Sequence, residues 1–389
     1  MNITNKYLVE ALVFLSYMLF AMAWVGGAAS MEQIMLAMKV DSLASASFIS
    51  GMVTFAKIVG TFGAAWLAVK LGVKYAFLVS SVLIAIGIFT PMSPNYEWLL
   101  LSRFLMGLGG AFMIVYFNPI VMQFFTVEER PAINGLNAVA FNVGTAIILW
   151  FMSDINALTG GWKESLIVFS VMSFVLAAVW LLVKFNVEQT SGSSSEPAAT
   201  YSYWEGLKDK FNWVYGLTYA GLLTFYICLF TFYPQAGISQ SKWVIGFGII
   251  GTFAGIIYSK KFPKRVPIIR WSGLMITLTI IGLSFSSSPV VQMTSAMLLG
   301  FFIFLPVTAL VSIPHELPNM TTARITVIFS LFYSISYLFS TILLWLFGKM
   351  VDMNNGDFTQ SFVLIAIVST TFFIGSFFLP ETAKQQGES

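Results

Sequence analysis

The chain has 389 residues, 58% hydrophobic and only 10% charged, with a mean hydropathy of +0.84. A soluble domain carries roughly a quarter charged residues to wet its surface, so most of this surface must face lipid. The net charge of +3 is too small to point to nucleic acid, the single Cys228 excludes a disulfide framework or cysteine metal site, and the single His315 leaves no hydrolytic His constellation.

The first apolar run, Ala11 to Ser30, follows Lys6 and ends in Gly26-Gly27-Ala28-Ala29, which imitates a secretory signal. At about 20 residues it exceeds the roughly 7–15-residue core of such signals, so it reads as a retained membrane helix. Crossing ~30 Å of hydrocarbon takes about 20 apolar residues in a helix. Twelve segments qualify: 8–31, 44–69, 75–92, 97–124, 132–152, 164–184, 213–234, 242–259, 267–287, 290–313, 323–348 and 359–379. Breaks fall at Pro91/Pro94, Glu128-Glu129-Arg130-Pro131, Gly160-Gly161, Pro263, Pro289, Pro314/Pro318 and Asn354-Asn355-Gly356, the residue types that turn chains. The predicted class is an all-α polytopic membrane protein.

Positive charge sets its orientation. With the N-terminus inside, fourteen Lys and Arg lie on inner segments, against only Lys39, Lys163, Lys242 and Lys349 outside. Both termini are therefore expected in the cytoplasm, with the protein in the inner (cytoplasmic) membrane. Between the sixth and seventh segments, residues 187–211 read as a cytoplasmic linker, Ser/Gly-rich at first. Its second part, Tyr201 to Phe211, suits an amphipathic helix along the membrane surface. This linker separates six-helix bundles over 1–186 and 212–389.

The halves repeat. Gly60-Thr61-Phe62-Gly63-Ala64 recurs 191 residues on as Gly251-Thr252-Phe253-Ala254-Gly255, with Lys70 matched to Lys261 and Lys74 to Arg265. Ile147 to Trp150 recurs 195 residues on as Ile342 to Trp345. A parallel six-helix repeat puts a binding site near the membrane midplane, where the halves face each other.

Four stretches resemble the major facilitator superfamily. They are Arg103-Phe-Leu-Met-Gly107-Leu-Gly109-Gly110-Ala111, Phe125-Thr-Val-Glu-Glu-Arg130-Pro-Ala132, Gly161-Trp162-Lys163, and part of the loop motif in Lys70-Leu-Gly72-Val-Lys74. The resemblance implies a fold of twelve transmembrane helices in two pseudo-symmetric bundles and a secondary transporter. It also implies a gating role for the inner loops that hold Lys70, Gly72, Lys74, Glu129 and Arg130. Val69 and Val73 stand where that motif usually has an Asp and a basic residue, a departure that touches the inward gate and not the fold. The loop His315-Glu-Leu-Pro318 is also similar to bacterial branches carrying small anions or organic metabolites.

Ionisable residues inside a bilayer are costly and usually face a cavity or a partner. Lys57 falls near the middle of the second segment and Arg103 about six residues into the fourth. Lys57 either meets an anionic substrate, changing protonation in the cycle, or caps carbonyls or pairs with a carboxylate such as Glu32. For Arg103 a structural or proton-linked network with the first helix, which the resemblance implies, competes with direct substrate contact. Glu32, Arg103 and Lys57 are the proton-coupling candidates, and Glu10 lies near the inner end of the first segment. Tyr17 and Trp24 share a stripe of the first helix with Glu32, Asn118 lies on the fourth, Asn142 on the fifth, and Tyr226, Tyr333 and Tyr337 add hydroxyls in the C-terminal half. Each suits a small-ligand site or plain helix packing.

The expectation is a monomeric transporter, without metal or cofactor, moving a small anionic metabolite by alternating access, with protons as a further partner. Export of amphipathic drugs or organic cations keeps the fold, and 38 Phe with 19 Met suit adaptable contacts. It lacks the deep carboxylate that cation exporters usually supply. An intramembrane enzyme or receptor lacks both a catalytic constellation and a sizeable soluble domain.

Overall fold

The computed structural model describes residues 3–126, 128–185, 201–318 and 320–382. Their regular structure is almost wholly helical, and the chain forms two compact units, Met1–Glu196 and Pro197–Ser389. Among the described residues eleven helical spans are long and apolar enough to cross a membrane, and Thr359–Gly375 is a shorter twelfth.

The first unit holds α1 (Lys6–Ala29), α2 (Met31–Met38), α3 (Leu43–Ala46), α4 (Phe48–Ala85), α5 (Phe89–Met92), α6 (Tyr96–Phe124), α7 (Arg130–Thr159) and α8 (Trp162–Trp180). Polar side chains set the helix starts. Asn5 Oδ1 accepts from the Tyr7 N–H at 2.9 Å, and Asn95 Oδ1 from the Trp98 N–H at 3.1 Å. Each satisfies a donor left over in a first turn. Gly160, in the left-handed region at φ 106°, ends α7.

One expected break holds and two boundaries change. The second and third spans meet at Gly72, as expected: its φ of 76° and ψ of 157° divide the run α4 into two helices. A glycine reaches that conformation at no steric cost, so this one residue ends one helix and starts the next. The first helix stops at Ala29, and Ser30, at φ −97° and ψ 16°, starts α2. Glu32 is therefore exposed on a separate short helix and does not share the α1 stripe of Tyr17 and Trp24. The tenth span is two helices, α13 (Pro289–Phe304) and α14 (Val307–Glu316), with Pro306 capping the second. Proline lacks the N–H that the ladder needs and crowds the carbonyl four residues back. Pro314, expected to end the span, lies inside α14.

The second unit continues with α9 (Tyr203–Lys208), α10 (Lys210–Thr231), α11 (Lys242–Lys261), α12 (Val266–Phe285), then α13 and α14, α15 (Thr322–Met353) and α16 (Thr359–Gly375). Within the second part of the linker, the short helix α9 opens on Ser202, whose capping box with Glu205 satisfies two backbone donors. The Ser/Gly-rich part of the linker lies outside the described residues.

In the first unit α4 packs on α6 and α1 on α7; in the second α10 packs on α15 and α11 on α13. Small residues permit the closest approaches. A Cβ added to Gly107 of α6 would stand 2.8 Å from the Ala56 methyl of α4. Each unit also gathers charge at one end. The starts of α1 and α7, the Gly72 break and the chain after α8 bring Lys6, Glu129 and Lys74 to one end of the first. The starts of α10, α12 and α15, the end of α14 and the chain after α16 do the same in the second with Lys210, Arg265, Arg324, Glu316 and Glu381.

Candidate functional site

Lys57 sits on α4, 4% exposed, where the chain must place an ammonium among apolar walls. Its Nζ lies 5.3 Å from the ring centre of Phe20, 5.0 Å from Trp24 and 5.6 Å from Phe141, two rings from α1 and one from α7. An aromatic face carries partial negative charge, so each contact attracts the cation, by up to ~2 kcal/mol where water is excluded. The rings brace one another: Trp24 meets Phe141 edge-on at 5.5 Å, and Tyr17 stacks on Phe20 at 5.7 Å and meets Phe117 of α6 at 5.0 Å. Sequence reasoning brought Lys57, Tyr17 and Trp24 into the candidate set but missed Phe20 and Phe141, since single phenylalanines in apolar helices carry no signal.

Arg103 of α6, 1% exposed, holds the same corner from behind. Its Nε donates to the Ile49 carbonyl at 2.9 Å, Nη1 to Ala23 and Nη2 to Trp24, both at 2.8 Å. One planar guanidinium so fixes α6 to α1 and α4 and sets the backbone of Trp24, whose ring faces Lys57. Gly27 makes room: a Cβ there would lie 2.6 Å from Arg103 Nη1.

Further along the α1–α7 seam lies Glu10, 4% exposed. The Asn137 amide donates to its Oε2 at 3.5 Å, while Glu10 Oε1 and Asn137 Oδ1 are buried without hydrogen-bond partners. Asn142 is also buried on α7, whereas Asn118 is exposed and accepts from the Asn134 amide at 3.5 Å. In the second unit Tyr226 packs edge-on against Phe230 and Phe304, and Tyr333 stacks with Tyr337 at 6.4 Å.

The inner-loop candidates divide among several contacts. Lys74 Nζ donates to the Leu181 carbonyl at 3.1 Å, Lys70 lies over Trp66, and Arg130 donates to the carbonyls of Phe125 and Met122. Glu129 takes the Lys6 ammonium at 2.6 Å and the Thr126 N–H at 3.1 Å, and these bonds hold its carboxyl below the usual range. In the second unit Arg265 pairs with Glu316 at 2.7 Å, while Glu381 accepts from the backbone N–H of Arg265 and Val266. Thr382 donates to Glu316 at 2.8 Å. Lys74 and its repeat partner Arg265 thus occupy matched places but hold different groups.

The sequence pattern described as Major Facilitator Superfamily matches residues 13–341. The chain belongs to that superfamily. It is a multi-pass membrane transporter. An uncharacterised protein of Campylobacter jejuni is 28% identical over 268 residues, 65% of this chain and 82% of that protein. A galactose-proton symporter of Escherichia coli K12 is 30% identical over 125 residues, 31% of this chain and 26% of the symporter. Among solved structures, the inward-open xylose transporter XylE of E. coli superposes with a TM-score of 0.78 at 14% identity, covering 98% of each chain. The fucose-proton symporter FucP of E. coli gives 0.61 at 17% identity, covering 97% of this chain and 100% of that one. At such identities the two structures share the superfamily fold and nothing finer.

Proposed function

We propose that this superfamily member carries a small organic anion across the cytoplasmic membrane by alternating access, with Lys57 receiving the negative group. The observation that carries the reading is the burial of the Lys57 ammonium against three aromatic faces, 5.0 to 5.6 Å away. Ring faces attract a cation but carry no formal negative charge, and a buried ammonium attracts a carboxylate or phosphate that reaches it. An anion paired to it loses less on leaving water than it would alone. Tyr17 and Asn142, on the helices that supply the rings, offer polar groups to orient such a cargo.

Proton coupling, on this reading, runs through Glu10 and not through Glu32, which is exposed on α2. Glu10 Oε1 has no hydrogen-bond partner, so a proton added there displaces no existing bond.

The test is uptake into proteoliposomes. Lys57→Ala abolishes uptake of the anion identified by a ligand screen, while Glu10→Gln keeps exchange of that anion and loses accumulation driven by a pH gradient. Undiminished uptake by Lys57→Ala removes the anion reading. A second reading, a neutral sugar, is favoured by the partial match to the galactose-proton symporter and by the stacked Tyr333 and Tyr337. It predicts thermal stabilisation by hexoses or pentoses and none by their acid derivatives.

A further inference from the structure

We propose that a pocket at one end of the second unit binds the headgroup of an anionic phospholipid. A cavity of about 600 Å³ opens there between the starts of α10 and α15 and the chain that follows α16. Lys210 and Arg324 supply two cations to its lining, and Asp209 one carboxylate.

The carboxylate is already shared. Asp209 Oδ1 caps α10 through the Phe211 N–H at 3.0 Å, and Oδ2 accepts from the Tyr201 hydroxyl at 3.2 Å. Its contact with Arg324 is long, 3.5 Å, and both side chains are about a third exposed at 32% and 27%. Arg324 Nε has no hydrogen-bond partner. Lys210 is exposed, so the pocket keeps an exposed ammonium beside a guanidinium held by one long ion pair and by the Tyr201 ring at 5.2 Å. That set fits a phosphate diester, which offers two acceptor oxygens to an Arg fork and a point charge to a Lys.

Depth selects a lipid over a soluble phosphate. Lys210 opens α10 and Arg324 lies in the first turn of α15, so the pocket lies where hydrocarbon gives way to headgroups. The rest of its wall is apolar and includes Phe211, Val214 and Phe378, the last 67% exposed. Beside it Phe377, 54% exposed, lies under the Arg270 guanidinium at 4.0 Å. A ligand with a charged head and a glycerol ester body matches both parts. Leu379 and Pro380 of the wall run straight into Glu381, which is fixed to the start of α12, so an occupied pocket also braces that tail. None of this depends on which cargo the protein carries or on Lys57.

The test uses purified full-length protein in detergent and measures Tm with short-chain phosphatidylglycerol, short-chain phosphatidylcholine or inorganic phosphate added. Phosphatidylglycerol raises Tm and phosphatidylcholine does not. In Lys210→Gln the apparent affinity falls about fivefold, as expected for one cation at a membrane surface, and the basal Tm stays put because the side chain is exposed. Arg324→Gln weakens binding further, and native mass spectrometry of the folded fraction counts the lipids retained if its basal Tm drops. Equal shifts with both lipids, or an unchanged affinity in Lys210→Gln, overturn the proposal. So does a full shift from inorganic phosphate alone, which would mark a soluble phosphate site.

Discussion

At the residue scale, two buried cations of the first unit behave differently because their surroundings differ. Arg103 meets three carbonyls at 2.8 to 2.9 Å, so its donors are committed to the backbones of α1 and α4. Lys57 faces ring systems. Arg103 is thus a positioning residue whose effect on cargo passes through Trp24. Arg103→Gln removes most of the charge-assisted bonds at that corner and costs roughly 3 kcal/mol of stability. Its uptake falls mainly through a higher KM, and Arg103→Lys recovers part of both. A stable Arg103→Gln protein with no uptake at any substrate concentration would show direct contact with cargo instead. Lys57→Met makes the contrast: it removes a buried charge yet fills similar space, so Tm holds or rises while anion uptake disappears. The sequence pointed to both cations because charge in a bilayer is conspicuous. It could not separate their roles, since carbonyls and ring faces are set by which helices approach, and a lone Glu10 near a helix end was indistinguishable from an interfacial anchor until Asn137 was seen beside it.

At the element scale, apolar length and charge were enough to place the spans, because every backbone group in lipid must bond within its own helix. Boundaries escaped where one residue redirected the chain. Pro306 divided a span whose stops had been placed at Pro289 and Pro314. It belongs to an apolar stretch, where a single Pro is tolerated often enough to carry little signal. Contacts between element ends were equally hidden, and the one between Lys6 and Glu129 can be tested by pH. The Lys6 bond and the Thr126 N–H keep the Glu129 carboxyl below its ordinary range. A depressed carboxylate contributes above the unfolded value and loses its effect as pH falls through the folded one. Protection of the first-turn amides of α1, relative to their intrinsic exchange rates at each pH, should therefore be high at neutral pH and fall only in acid, below the usual carboxylate range. Glu129→Gln shows the low protection at every pH. High protection in that variant at neutral pH would mean that the Asn5 cap alone holds the turn.

For the whole molecule, the superfamily fold was legible from hydropathy and from the internal repeat, because both record the same constraint: two runs of six spans, each with alternating ends. Within each unit, side-chain contacts between helix ends join charged groups at one end. Which end faces the cytoplasm rests on the fourteen-to-four distribution of Lys and Arg, and on the rule that short positive loops stay inside. The chain suits a direct test, because its single cysteine, Cys228, is buried. In a Cys228→Ser background, cysteines placed at Lys70 and Lys264 should react with a membrane-impermeant maleimide only after the cells are opened. Cysteines at Lys163 and Lys242 should react in intact cells. The first pair tests one inner loop of each unit and the second one outer loop of each, so the four results bear on each unit separately. Full reversal would turn the protein over and move the proposed lipid site to the outer leaflet. Reversal in one unit alone would break the parallel repeat, since Lys70 and Lys261, matched at an offset of 191, would then lie on opposite sides. Agreement at all four positions fixes Lys6, Glu129, Arg265 and Glu316 on the inner face, where their contacts can respond to cytoplasmic pH and salt.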